Sequence, residues 1–134
     1  MKETVKVTVL MSVYNTPLEQ LKEAIESILN QTYKDFEFLI IDDGSKKECV
    51  NFVKSYKDKR INFVQNKVNL GLERSLNRGL DIAKGTYIVR MDTDDIAYKE
   101  RIYKQLEFIE KNPQYSIVGT RAEYFDEKGI YRKK

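Results

Sequence analysis

The sequence predicts an α/β domain built on an open, mainly parallel sheet flanked by helices. Short β-branched and apolar runs alternate along the chain with segments whose apolar residues recur every three or four positions. The helical segments lie between consecutive strands, where they supply the crossovers that parallel neighbours need. Polar, turn-forming residues gather just after the strands, at the end of an open sheet where ligands bind.

Residues 5–13 crowd together Val5, Val7, Val9, Leu10, Met11 and Val13, the pattern of a strand buried on both faces. Thr16 and Glu19 have the spacing of a capping box, with Pro17 at the first helical position. Leu18, Leu21, Ile25, Ile28 and Leu29 then form the stripe of a helix ending near Asn30. Residues 36–41 predict a second strand, bounded by the turn residues Asp42, Asp43, Gly44 and Ser45. A weaker amphipathic segment at 48–56 turns Val50, Val53 and Tyr56 inward, and 61–64 reads as a third strand. The next helix runs over 72–83 through Leu76, Leu80 and Ile82, with Gly85 in the position of a C-terminal cap. Residues 87–91 predict a fourth strand, closed by Asp92, Thr93, Asp94 and Asp95. A helix at 99–111 carries Ile102, Leu106 and Ile109 on one face until Pro113 stops it. Residues 116–119 suit a fifth strand, and 121–131 a hairpin turning at 126–129.

At 134 residues the chain has the size of one domain and is short for an enzyme that binds two substrates. Its 24 basic and 21 acidic residues are interspersed, so no broad basic field forms and no nucleic-acid partner is expected. The tail residues Lys128, Arg132, Lys133 and Lys134 suit a solvated end or peripheral contact with an acidic membrane surface. There is no histidine, which removes the usual serine and cysteine triads and most zinc sites. Acid–base chemistry is left to carboxylates, lysine or tyrosine. The single Cys49 excludes an internal disulfide framework. No apolar run has the length of a signal peptide core or a membrane span, so the expected location is the cytoplasm, including the inner face of the membrane.

Asp92 and Asp94, two residues apart, can both enter one cleft where the extended strand gives way to a turn. Paired carboxylates suit a hard divalent cation, Mn²⁺ or Mg²⁺, which takes oxygen ligands and keeps substrate phosphates in its shell. The alternative is an acidic helix N-terminus, with Asp94 and Asp95 capping the helix that follows. Asp42-Asp43-Gly44-Ser45 is turn chemistry by itself. Both acidic clusters end apolar strands that would face one crevice if those strands were neighbours. Neither Gly-x-x-x-x-Gly-Lys-Ser/Thr nor Gly-x-Gly-x-x-Gly after the first strand occurs, so a bound phosphate would be met by a metal or by an Arg or Lys clamp.

Val13-Tyr14-Asn15, Gln31-Thr32-Tyr33, Ile41-Asp42-Asp43-Gly44-Ser45, Asn69-x-Gly71, Asn77-x-Gly79, Ala83-Lys84-Gly85-Thr86-Tyr87-Ile88 and Met91-Asp92-Thr93-Asp94-Asp95 follow one another. In this order and spacing the chain resembles the family 2 glycosyltransferases, which have the GT-A fold, over about residues 5–125. The resemblance implies a nucleoside-diphosphate sugar donor, a saccharide or lipid-linked acceptor hydroxyl, transfer with inversion, and a role in bacterial surface polysaccharide synthesis. It implies nucleotide contacts from Ser12, Tyr14 and Asp43. It assigns Asp92 to the ribose and diphosphate, Asp94 to the divalent metal, and Arg74 or Arg78 to the phosphates. The family's catalytic base is an acidic residue well after the Asp-x-Asp, expected beyond Lys134; Asp126 and Glu127 fall too early. Residues 1–134 are therefore expected to be one GT-A nucleotide-sugar-binding domain without the acceptor-binding portion. Lys99 stands where many relatives have proline. One rival is a noncatalytic nucleotide-sugar-binding module. Another is a nucleotidyltransferase, which would show a glycine- and arginine-rich loop where this chain has Tyr14-Asn15-Thr16-Pro17.

Overall fold

The computed structural model describes residues 5–120, together with the backbone of 124–126 and 129–131. The elements alternate as β1 (Val7–Val13), α1 (Leu18–Leu29), β2 (Phe36–Asp42), α2 (Lys47–Lys54), β3 (Ile61–Gln65), α3 (Leu72–Ile82), β4 (Tyr87–Arg90) and α4 (Arg101–Lys111). The four strands form one parallel sheet in the order β3-β2-β1-β4. β1 pairs with β2 on one side and β4 on the other, so the strand order reverses at β1. A short antiparallel pair follows, β5 (Tyr124–Asp126) and β6 (Gly129–Tyr131), with Asp126 opposite Gly129 as the hairpin pattern predicts. The basic tail residues Lys128, Arg132, Lys133 and Lys134, and Glu127, lie outside the described residues.

Strand alternation sorts the side chains onto two faces. Val7, Val9, Met11 and Val13 of β1, with Phe36, Phe38 and Ile40 of β2, pack with the apolar stripes of α1, α2 and α4. Leu10, Leu39 and Ile41 point the other way, against Leu76 and Ile82 of α3. β1 and β2 are thus covered on both faces, as their unbroken apolar runs predict. Among the described residues no helix is long and apolar enough to cross a membrane.

Four local expectations are corrected. The capping box does not form: α1 begins after Pro17 without a side-chain cap, because the Thr16 hydroxyl is engaged with Thr93 instead. Gly85 does not cap α3; its N–H donates to Thr8 Oγ1 at 2.8 Å, and a Cβ there would lie 2.4 Å from the Thr8 backbone nitrogen. Residues 116–119 are not part of the sheet. The strands bearing the two acidic clusters, β2 and β4, flank β1 rather than each other.

Candidate functional site

The carboxyl ends of β2, β1 and β4 lie side by side, and the strand order reverses at β1, which is where open sheets of this kind form their ligand crevice. The parity that sends Leu10 and Ile41 to the α3 side also assigns Ser12, Asp43 and Asp92 to that side. Ser12 is half-buried near the end of β1, and Tyr14, just beyond it, is 54% exposed.

Beyond β4 the chain folds into a turn in which Asp95 N–H donates to the Asp92 carbonyl. This folding brings one carboxylate oxygen from each of Asp92, Asp94 and Asp95 within 4.8 Å of one another, all on exposed residues. The helix-cap alternative fails, because α4 starts only at Arg101 with Glu100 at its N-cap. Asp95 is held above the usual carboxylate range by partial burial, and the charges of Asp94 and Asp92 add to the effect. The half-buried Arg101 partly offsets it. Arg90 Nη2 lies 3.5 Å from Asp92, a solvent-exposed pair of little strength. Three crowded hard-oxygen donors with weak internal neutralisation fit a divalent cation, and Asp95 joins the Asp92 and Asp94 pair read from sequence.

The loops around the crevice are laced together. Thr16 Oγ1 donates to Thr93 Oγ1 at 3.0 Å, joining the β1 loop to the middle of the aspartate turn. Asn15, at φ 48°, accepts from Lys46 N–H at 2.7 Å and donates its own N–H to Ser45 Oγ at 2.9 Å. Asn is among the few residues that adopt this left-handed conformation readily. The residues after the aspartates are fixed by Gln31, which is fully buried. Its amide donates to Ser27 and Tyr98 carbonyls, and its Oε1 accepts the Ile102 N–H at 3.1 Å, supplying from the loop after α1 the cap that α4 lacks. The Thr32 N–H donates to the Lys99 carbonyl at 2.9 Å. Because that contact uses only a carbonyl, a proline at this position could make it too, so Lys99 costs the loop nothing there. Gln31 was visible in the sequence only as part of the Gln-Thr-Tyr motif; its partners, 67 and 71 residues away, were not.

Asp43 is 2% exposed and its carboxylate is saturated within the chain. Oδ1 accepts Leu70 N–H at 2.7 Å and the Asn66 amide at 2.9 Å; Oδ2 accepts Gly71 N–H at 2.9 Å and the Asn69 amide at 3.2 Å. Burial by itself would raise its pKa, but the hydrogen bonds from Leu70, Asn66, Gly71 and Ser75 outweigh that and hold it below the ordinary carboxylate value. Gly71 sits at φ 93°, a left-handed value that favours glycine and that presents its N–H to Asp43. Asp43 thus anchors the loop between β3 and α3, while the neighbouring Asp42 uses Oδ2 for Gly44 and Ser45 N–H and leaves a buried Oδ1 without a partner among the described residues. Arg78 is exposed, but Nη1 donates to the Gln65 carbonyl at 3.2 Å and to Asn66 Oδ1, which ties it to the same network; Arg74 is exposed.

The comparisons with known proteins agree with this architecture. Residues 8–134 match the sequence model described as Glycosyl transferase family 2. An uncharacterized glycosyltransferase of Methanocaldococcus jannaschii is 44% identical over 131 residues, 96% of this chain and 45% of that protein. An uncharacterized glycosyltransferase of Haemophilus influenzae is 40% identical over 124 residues, 91% of this chain and 38% of that protein. The chain thus spans less than half the length of these relatives. Among solved structures, S. aureus TarS 1–349 in complex with UDP superposes with a TM-score of 0.73 at 26% identity, covering 81% of this chain and 33% of that one. The mannosyltransferase PcManGT from Pyrobaculum calidifontis, solved with GDP-Man and Mn²⁺, shares the fold at a TM-score of 0.68 and 20% identity, over 80% of this chain and 33% of that one. The architecture is the GT-A fold. With the family's sequence model matching nearly its whole length, the chain belongs to glycosyl transferase family 2.

Proposed function

We infer that this chain forms the donor-binding part of an inverting glycosyltransferase that uses a divalent metal, Mn²⁺ or Mg²⁺, and moves a sugar from a nucleoside diphosphate to an acceptor hydroxyl. The observation that carries the reading is the convergence of Asp92, Asp94 and Asp95 at the end of β4 in a family 2 chain. In this reading Tyr14 and Ser12 meet the nucleoside, Asp92 the ribose and diphosphate, and Asp94 is the metal ligand with Asp95 beside it. Asp43 meets the base only from behind its own network, by fixing the wall formed by residues 69–71. Arg78 reaches a phosphate only by exchanging its contact with Asn66. The bound metal would supply neutralisation of the charge that develops on the leaving diphosphate. The chain's own residues orient that diphosphate and hold the nucleoside against the β1 loop. No described residue is assigned the catalytic base. The UDP in TarS supports a nucleoside diphosphate as ligand class.

A saccharide or lipid-linked acceptor, a role in bacterial surface polysaccharide synthesis, and a cytoplasmic location, the inner face of the membrane included, belong to the same reading. The test is a thermal-shift panel of UDP, GDP, ADP and CDP with and without Mn²⁺, because a ligand that binds only the folded state raises its stability. One nucleoside diphosphate should raise the melting temperature more with Mn²⁺ than without. No shift from any of the four, with or without the metal, refutes the reading.

A further inference from the structure

Tyr14 is 54% exposed, and among the described residues its side chain makes no hydrogen bond, ion pair or ring contact. A ring without partners is aimed only by the backbone that carries it. On both sides of Tyr14 that backbone is held by the loop after β2. Before it, the Val13 carbonyl accepts Asp43 N–H at 2.8 Å. After it, Asn15 forms a two-way clasp, its N–H donating to Ser45 Oγ at 2.9 Å and its Oδ1 accepting Lys46 N–H at 2.7 Å. Ser45 is itself fixed, because Oδ2 of the buried Asp42 accepts the Gly44 and Ser45 N–H groups at 3.3 and 3.2 Å.

This position asks two things of its residue. The first is conformational: Asn15 stands at φ 48° and is the one non-glycine residue at positive φ among those described. Asn, Asp and Gly enter this left-handed region readily, whereas branched and bulky side chains do not. The second is an acceptor for Lys46 N–H, which lies at the N-cap of α2. In a capping box that N–H is taken by a Glu or Gln three residues on; here Cys49 holds the place, and Asn15 supplies the acceptor from another loop. Glycine meets only the first demand, alanine neither and aspartate both.

We propose that Asn15 is a positioning residue for the donor nucleoside, acting through Tyr14 by clasping the loop after β1 to the loop after β2. It touches no ligand itself. The inference rests on the reading in which Tyr14 meets the nucleoside, and adds to it the residue that sets the ring in place beforehand. With the clasp closed, a nucleoside packing on the ring has little chain left to order. With the clasp open, the entropy of ordering residues 14 and 15 is lost on binding instead of on folding.

The test is a double-mutant cycle read by titration calorimetry. UDP, GDP, ADP and CDP are each titrated with Mn²⁺ present, and the tightest of the four is carried through the series. Tyr14→Ala should weaken binding by about tenfold or more, as loss of an aromatic ring packed on a base does. Asn15→Gly keeps the backbone conformation and removes the acceptor; it should weaken binding by about fivefold, and Asn15→Asp should restore most of that loss. In the Tyr14→Ala background Asn15→Gly should change affinity by less than about twofold, since a residue that acts through the ring then has nothing to position. The proposal is overturned if Asn15→Gly binds at full strength, if its loss persists undiminished without the ring, or if Asn15→Asp fails to rescue. Should Asn15→Gly lack a cooperative melting transition, Ser45→Ala, which removes the acceptor of the Asn15 N–H, takes its place in the cycle with the same outcomes. If none of the four diphosphates binds the natural sequence, or Tyr14→Ala costs nothing, the donor reading fails and this role falls with it. If both hold and the Asn15 effects are absent, only the positioning role is lost.

Discussion

Asn66 donates its amide to Asp43 Oδ1 at 2.9 Å, and through this contact the end of β3 is fastened to the end of β2. The same carboxylate holds the Leu70 and Gly71 N–H groups, so one buried side chain sets the path of the chain from β3 into α3.

Asp43→Ala should therefore destabilise the protein in urea unfolding by at least about 2 kcal/mol, since each buried donor left without an acceptor costs about 1–3 kcal/mol. This differs from what a turn carboxylate that only touches ligand would do, which is to leave stability unchanged. The pH dependence follows from the lowered pKa. Asp43 binds protons less readily folded than unfolded, so its contribution is fully present above its ordinary value of 3.8 and is lost as pH falls through the lower folded value. Unfolding measured from pH 5 downward should show this acid loss in the natural sequence and less of it in Asp43→Ala.

Asp94→Asn keeps the size of the side chain and removes one of the three converging charges. Measured by titration calorimetry, it should abolish the Mn²⁺-dependent part of nucleoside-diphosphate binding while the melting temperature of the free protein moves by less than about 3 °C, the response to a change of under about 1 kcal/mol. Metal-dependent binding at full strength would remove Asp94 from the ligand set.

Gln31→Leu preserves the bulk of a buried side chain but leaves the Ile102 N–H without its acceptor. The expected cost is about 2–3 kcal/mol in chemical denaturation, at the upper end for a buried group left unsatisfied. Because Gln31 also holds the Tyr98 carbonyl, the aspartate turn should lose some of its fixed geometry, and Mn²⁺ affinity should fall with stability. A stability loss with unchanged Mn²⁺ affinity would confine Gln31 to the fold.

Gly85→Ala should cost about 1–3 kcal/mol, the usual price of forcing a methyl into a filled space. The obstruction is β1 backbone, with Val7 C at 2.6 Å and Thr8 N at 2.4 Å from the added carbon, so side-chain repacking cannot relieve it. Thermal denaturation of the variant checks this directly.

Much of the fold was legible because burial on both faces writes itself as unbroken apolar runs in β1 and β2, and because the helical stripes face them. The family was legible from the ordered motifs. What the sequence could not reveal lay in contacts between distant residues. Thr16 looks like a helix cap until its hydroxyl is found on Thr93, and Asp43 looks like a turn residue until the loop at 69–71 closes over it. Residues 116–119 carry strand pattern, yet a strand exists only by pairing, and they pair with none of the described strands. In the aspartate turn, position in the sequence indicated two carboxylates, while the turn closed by Asp92 and Asp95 brings in a third.

The Thr16–Thr93 bond joins residues 77 positions apart, and this separation bears on the order of folding. The β1, β2 and β3 units can pair through successive short crossovers, whereas β4 must return to β1 across the intervening chain and meets a larger entropic cost of closure. The loops after β1 and β2 are therefore expected to be in place before the aspartate turn arrives. A ligand gripping both loops would bind only after that last closure, and would act as a latch on β4, slowing its release from the sheet without touching the strand itself.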